Sequence, residues 1–367
     1  MRIQEVILYR VQLPLPTPYK VAFKTYTAFD PFIVEVRDRD GRGGWGEAHI
    51  PEGYSKKETP AVGWDFCCAL GEKITGMTAA QAKDAIAAAA AASPMAATAL
   101  VSALEALEDN PIFRIDQDAR IPLLAPLRAK SPDQIPDEVE RIIEQGFKTI
   151  KVKVGWDVDP DLARVEAARQ AAHGRALVRL DANRNFSQED GCRFARGLNP
   201  DGIELFEQPC DSDDWDANAA VAAVSAVPVM LDESIYGVED VERAGTIEGV
   251  DYCKVKLKRA GGIDLLMATM RRCRELGMGA IVGDGVATEI GNLMEACCAR
   301  LTTELAGEMN GFLKPTARLF ANPLPFDRGD IILEAGFRPV IDRHALAAHT
   351  LGSERFTETG AAVHPSP

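Results

Sequence analysis

The sequence predicts an α/β protein: a modified (β/α)8 barrel of the TIM type, under an α+β capping domain formed by the N-terminal region and the C-terminal tail. Three observations lead there. Charged residues stand at or near the C-terminal ends of short β-branched runs: Lys151 and Lys153 in TIKVKVG, Asp181 in VRLDAN, Glu207 in LFEQP, Asp232 in VMLDES and Lys256 in KVKLKRAGG. From Lys153 onward they follow at intervals of 28, 26, 25 and 24 residues. One strand plus one crossover helix is about 25 residues, and in such a barrel the C-terminal ends of all strands converge on one mouth. The chain also has 367 residues where a barrel needs about 250, so a second domain fits.

The elements follow in order. Residues 1–49 read as an antiparallel sheet, with IQEVILYRVQLP and FIVEVRDRD alternating and Asp40-Gly41 turning a hairpin into GGWGEAHI. The glycines at 41, 43, 44 and 46 are not followed by a helix, which favours a hairpin over a phosphate loop. Helical material runs from about Lys56 to Glu108, Ala-rich and broken at Ser93-Pro94. From about residue 120 strands alternate with helices. Candidate strands are 121–127, 147–154, 177–182, 203–207, 228–232, 251–257 and 279–283, with a weak eighth near 306–311. Helix starts are signalled at Asp157-Val-Asp-Pro160, Ser187-Gln-Glu and Gly262-Ile-Asp264. After about 320 the pattern breaks into loops and short strands (DIILEAG, FRPVID) expected to return to the N-terminal sheet, with the last dozen residues loosely held. The expected domains are therefore 1–118 for the cap, 119–320 for the barrel and 321–367 for the returning segment.

Bulk properties narrow the function. A formal charge of −14 argues against a nucleic-acid partner, because phosphate binding needs clustered Lys and Arg. No stretch approaches the ~20 apolar residues of a membrane span. MRIQEVILYRVQLP is strand-like and lacks the long apolar core of a signal peptide, which predicts a cytoplasmic protein. The eight cysteines include two adjacent pairs and no C-x-x-C, so they read as buried small hydrophobes in a reducing cytosol.

Side chains alternate between faces along a strand. In Ile150–Val154 the valines can face the helices while Lys151 and Lys153 face the interior; Lys254, Lys256 and Lys258 repeat the pattern around Val255 and Leu257. A K-x-K pair taken alone is most often a solvated edge strand, but strands in the middle of a βα series have no such edge. Interior lysines without anions, or interior carboxylates without cations, would each cost several kcal/mol. The two sets compensate each other, and a divalent cation completes the balance. Asp181, Glu207 and Asp232 supply only oxygen ligands, which favours Mg2+, or Mn2+, over zinc. Any one of them could be a helix N-cap; three at barrel spacing weaken that alternative.

Taken together, the GWGE of the N-terminal sheet, the K-x-K, the D-A-N, the E-Q-P, the D-E-S and the K-x-x-x-x-G-G resemble the enolase superfamily over nearly the whole chain. The likeness is to the branch with muconate-lactonizing enzymes, dipeptide epimerases and N-acylamino-acid racemases. It implies Mg2+ on Asp181, Glu207 and Asp232, Lys153 and Lys256 as acid/base on opposite faces of the substrate, and Lys151 near the substrate carboxylate. Lys256 stands five residues before Gly261-Gly262; Lys254 is the alternative assignment. Mandelate-racemase-like members use a histidine on later strands, and none occurs here between His173 and His344. Relatives often carry a glutamate at the end of strand seven, where this chain has Ala287-Thr288 after Gly283-Asp284-Gly285. On strand eight the D-x-D of dipeptide epimerases, which meets the substrate's amino group, is here Glu308-Met309-Asn310. The expected substrate contacts are thus Asn183, Asp284, Glu308 and Asn310, with Glu308 a partner for a cationic nitrogen, and Arg184 is either a contact to a second anion or a solvated loop residue. Lys24 and Tyr54 come from cap loops 19–27 and 51–57, which are expected to close over the site.

The reading is Mg2+-dependent removal of a proton α to a carboxylate through an enediolate, racemising or epimerising an amino-acid derivative. A cycloisomerase or syn-dehydratase would use the same residues. A Schiff-base aldolase barrel leaves the three carboxylates unexplained, and a non-catalytic barrel leaves the whole set unexplained. The expected partner is a small carboxylate substrate, and because relatives of this kind are often dimers or octamers the resemblance implies a homo-oligomer.

Overall fold

The computed structural model describes residues 1–20, 25–52, 58–301 and 305–358. The chain opens with strands β1 (Ile3–Val11), β2 (Leu13–Lys20), β3 (Thr25–Phe29), β4 (Phe32–Asp38) and β5 (Gly43–Ala48), followed by helices α1 (Pro60–Ile74), α2 (Ala79–Ala89) and α3 (Pro94–Leu107). β1, β4 and β5 form one antiparallel sheet, and β2–β3 stand off as a separate hairpin. Thr59 caps α1, a Thr78/Gln81 capping box starts α2, and Pro94 sits in the first turn of α3. The glycines of GGWGE have a second role besides the turn. A Cβ on Gly44 or Gly46 would lie 2.1 or 2.0 Å from the carbonyl oxygens of Ala103 and Ala99, so only glycine lets α3 rest on β5.

The barrel follows as β6 (Ala119–Pro122), β7 (Ala125–Pro126), α4 (Ile135–Glu144), β8 (Thr149–Lys153), α5 (Val158–Ala172), β9 (Leu177–Asp181), α6 (Gln188–Gly197), β10 (Ile203–Glu207), α7 (Trp215–Ala222), β11 (Val229–Leu231), α8 (Val238–Ala244), β12 (Val250–Val255), α9 (Leu257–Ala260), α10 (Ile263–Glu275), β13 (Gly279–Val282) and α11 (Glu289–Ala299). β7 to β13 pair in sequence order as one parallel sheet. The eighth stave is a single parallel bridge rather than a strand. Gly307 pairs with Leu123, its carbonyl accepts from Leu124 N at 3.0 Å, and Glu308 N donates to Val282 O at 3.0 Å, which closes the ring. Ile150, Val152 and Val154 share a buried cluster with Ile135 and Val139 of α4 and Val165 of α5, leaving Lys151 and Lys153 for the interior.

The tail departs from expectation in two places. β14 (Phe326–Asp327) and β15 (Asp330–Leu333) do not reach the cap; β15 runs antiparallel to β6, so the expected strand 121–127 is divided between two sheets. FRPVID forms only a Phe320–Ile341 bridge, because Pro339 has no amide to extend a ladder. The return to the cap is made by α12 (Arg343–His349) and β16 (Thr350–Thr357), which pairs along β1. Most of the dozen C-terminal residues read as loosely held lie outside the described residues. Six of the eight cysteines are buried. No helix among the described residues is long and apolar enough to cross a membrane.

Candidate active site

Strand register sets the row of charges. Lys153 pairs with Asp181 and Asp181 with Glu207, so three neighbouring strands present them at one level. Asp232 follows one residue after β11, and Lys256 is the first residue after β12. In the sheet order, the strands carrying the acids (β9, β10, β11) lie between those leading to the two lysines (β8, β12).

The lysines fall into two depths. Lys151 Nζ lies 2.8 Å from Asp181, 2.9 Å from Glu207 and 2.7 Å from Glu308. Lys254 Nζ is 3.1 Å from Glu207 and bonds Glu308 as well. These side chains are 2% and 0% exposed, whereas Lys153 and Lys256 are 30% and 13% exposed. Lys153 Nζ donates to Asp181 at 2.5 Å and Asn183 Oδ1 at 2.6 Å. Lys256 Nζ donates to Asp232 at 2.8 Å, and Arg259 grips the other oxygen of Asp232 at 2.6 Å.

The electrostatics follow from these contacts. Burial opposes charge on Lys151, but Asp181, Glu207 and Glu308 outweigh it and hold the amine well above the usual lysine range. Burial likewise opposes ionisation of Asp181, yet Lys151, Lys153 and Lys254 bring it down to about 2. Asp232 is held well below its ordinary value because Lys256 and Arg259 overcome burial. Glu207 goes the other way: burial, then the charge of Asp181, push it up despite two ammoniums. Glu233 is raised to about 7 by burial and by Asp232 beside it.

Among the described residues, no group of three metal-binding side chains stands ready-made around one point, since the three carboxylates are drawn onto lysines. The donor set nevertheless suits a hard cation. It is all oxygen, and Glu207 Oε2 is buried and receives no directed hydrogen bond among the described residues, although Lys151 lies 2.9 Å away.

The surrounding loops are held by side chains. Gln208 Oε1 accepts from Asp232 N and Ser234 N, fixing the D-E-S turn, and its Nε2 donates to Ser234 Oγ. Asn183 and Arg184 take left-handed backbone (φ 44° and 70°), with Asn183 N bonded to Asp181 Oδ1 at 2.8 Å. From the cap, Glu47 of GWGE accepts from Thr288 N and Oγ1 and from Gly291 N, docking the sheet onto the start of α11.

Among the residues expected at the site, Lys151, Lys153, Lys256, Asp181, Asn183, Asp232, Asp284 and Glu308 line one cavity of about 80 Å³, and Tyr19 and Tyr26 of the cap hairpin roof it. Glu207 lies beneath them on Lys151 and Lys254. Asn310 does not line this cavity: its amide donates to Leu124 O and accepts from Lys314. Lys258 does not continue the strand; it sits in the short helix α9 because the extended run ends at Val255, and there it pairs with Asp284 at 2.7 Å. Glu308 is bonded to two lysines rather than standing open. Lys24 and Tyr54 lie outside the described residues. Sequence reasoning missed Arg259, Gln208 and Glu233. The conspicuous K-R step before Gly261 and the Q of E-Q-P were signals for the first two.

A family model described as "Enolase C-terminal domain-like" matches residues 134–337, more than half of the chain. Among curated relatives, the L-Ala-D/L-Glu epimerase of Bacillus subtilis is 26% identical over 310 residues, covering 79% of this chain and 83% of that protein. Muconate cycloisomerase 1 of Acinetobacter baylyi is 24% identical over 340 residues, covering 88% and 92%. Among solved structures, the N-succinyl Arg/Lys racemase of Bacillus cereus superimposes with a TM-score of 0.87 at 22% identity, covering 97% of this chain and all of that one, a likeness of fold.

Proposed function

Because the chain belongs to the enolase C-terminal domain-like family, we propose that it removes the proton α to a carboxylate, forms an enediolate and reprotonates the other face, racemising or epimerising an amino-acid derivative. One observation carries this reading: Lys153 and Lys256 flank, from β8 and from the end of β12, an arc of three acid-bearing strands, and both amines reach the cavity. A substrate seated over the arc has one amine toward each face of its α-carbon. One lysine, neutral, accepts the proton at Nζ; the other, as ammonium, delivers one, and the reverse reaction exchanges the roles. Lys151, held charged on the floor, offsets the second negative charge of the enediolate. Mg2+ (or Mn2+) held by Asp181, Glu207 and Asp232 would supply Lewis-acid charge stabilisation. Tyr19 and Tyr26 limit water over the site.

The relationship to a muconate cycloisomerase supports a second reading, cycloisomerase or syn-dehydratase, in which one lysine transfers the proton and the other only stabilises charge. Incubation of N-acyl amino acids, dipeptides and proline betaines in D2O with and without Mg2+ separates the two. A racemase places α-deuterium in both antipodes; conversion to a constitutional isomer, or irreversible loss of water, points to the second reading, and no exchange with any acid overturns both.

A further inference from the structure

The floor of the cavity closes on itself. Glu207 Oε1 accepts from Lys151 at 3.2 Å and from Lys254 at 3.1 Å. Glu308 Oε2 accepts from the same two ammoniums, 2.7 Å from Lys151. Two ammoniums and two carboxylates thus alternate around a ring built from β8, β10, β12 and the eighth stave, and Lys254 has no exposed surface. Each of the two acids thus has both ammoniums against it, although Glu207 Oε2 receives no directed hydrogen bond among the described residues. The acids nearer the mouth are occupied as well: Asp232 by Lys256 and Arg259, and Asp284 by Lys258. Glu233 Oε1 is bonded by Asn183 Nδ2 at 3.2 Å and has Arg184 4.0 Å away, while its Oε2 is buried with no hydrogen-bond partner among the described residues.

We propose, resting on the reading of the preceding section, that the Lys254–Glu308 pair restricts the substrate to acids whose nitrogen is acylated or otherwise uncharged. Glu308 is the acid on the eighth stave that faces the cavity, and a substrate ammonium approaching it would meet two buried like charges already seated on its oxygen. Like charges in a desolvated site are how a pocket rejects a partner. A neutral amide carries no such penalty, while the carboxylate end still meets cationic walls. Lys254 acts here through Glu308, as a residue that sets specificity without touching the reacting carbon.

The test compares an alanyl dipeptide with its N-acetyl derivative, which differ chiefly in charge at the terminal nitrogen. With the full-length protein and Mg2+, α-deuterium exchange gives kcat/KM and calorimetry gives Kd. The acetylated ligand is expected to lead the free amine by at least about tenfold in both, a conservative margin for like-charge apposition. Lys254→Met should move both ratios toward the free amine by at least about tenfold, and the charge-keeping Lys254→Arg should leave them in place. Equal or better use of the free amine by the wild-type protein overturns the proposal, as does an unchanged ratio in folded Lys254→Met. If that variant does not fold, the wild-type pair of ligands decides. Exchange with neither ligand, nor with any other acid, counts against the α-proton reading itself; exchange with both alike overturns only the present inference.

Discussion

Lys151 and Lys254 stand on the barrel floor, and Lys153 and Lys256 follow each of them by two residues at the mouth. The spacing puts each pair on one face, so the four are alike in sequence and differ only in depth. On the floor an amine touches two or three carboxylates and is almost wholly buried; at the mouth, among the described residues, Lys153 and Lys256 each pair with a carboxylate and are more exposed. The anions around Lys151 outweigh its burial and hold it as an ammonium. The more exposed amines are the ones to which the proposed reaction assigns the proton transfers. The same step of two residues thus separates two depths in one barrel.

The largest effect that sharpens this contrast is kinetic. Lys153→Ala and Lys256→Ala should each lower racemisation by about 10²–10⁴-fold, the usual contribution of a general acid or base, with thermal unfolding close to wild type. Full turnover in Lys256→Ala would remove the two-base account. The floor should respond in the opposite sense. Lys151→Met leaves Asp181, Glu207 and Glu308 short of a cation, so denaturant titration should show a loss of about 3–5 kcal/mol, the usual result of breaking a buried pair. Asp232→Asn removes a candidate ligand, and calorimetry should show Mg2+ binding weakened by at least the about 10–100-fold that loss of an outer partner costs.

The smallest effect concerns pH and contrasts the floor with the cap. Asp181, closed on ammoniums, lies at about 2; Glu47, equally buried but held only by uncharged donors, is raised by that burial to about 7. Glu47 binds its proton more tightly in the folded protein than in the unfolded chain. Its share of stability is complete below its ordinary value of 4.5 and is lost as pH rises to about 7. Asp181 contributes above 3.8 and is lost as pH falls toward 2. Denaturant midpoints at pH 5 and 7.5 should show Glu47→Gln flattening the decline by on the order of 1–2 kcal/mol. Glu105 and Glu295, also raised by burial, leave a residual slope of the same sign.

The barrel and its row of charges were legible because both rest on local periods. Alternation along a strand places Lys151 and Lys153 on one face, and a near-constant strand-helix length brings Asp181, Glu207 and Asp232 to one mouth. Depth was not legible, since Lys254 is buried by a contact with Glu308, 54 residues away, through a stave too short to show as a strand. The K-V-K-L-K run looked like five extended residues, but the chain turns helical at Leu257 and carries Lys258 to Asp284. Glu308 and Asn310 looked like one motif; the first lines the cavity and the second braces Leu124 and Lys314. The tail hairpin went to β6 instead of the cap because β6 offered a free edge, which no pattern within residues 326–333 reveals.

The most direct test is the stereochemistry of exchange by each mouth variant. With a racemised substrate supplied as separate antipodes in D2O, Lys153→Ala should exchange the α-proton of one antipode only, and Lys256→Ala that of the other only. Exchange of both antipodes by either variant would contradict the assignment of one amine to each face.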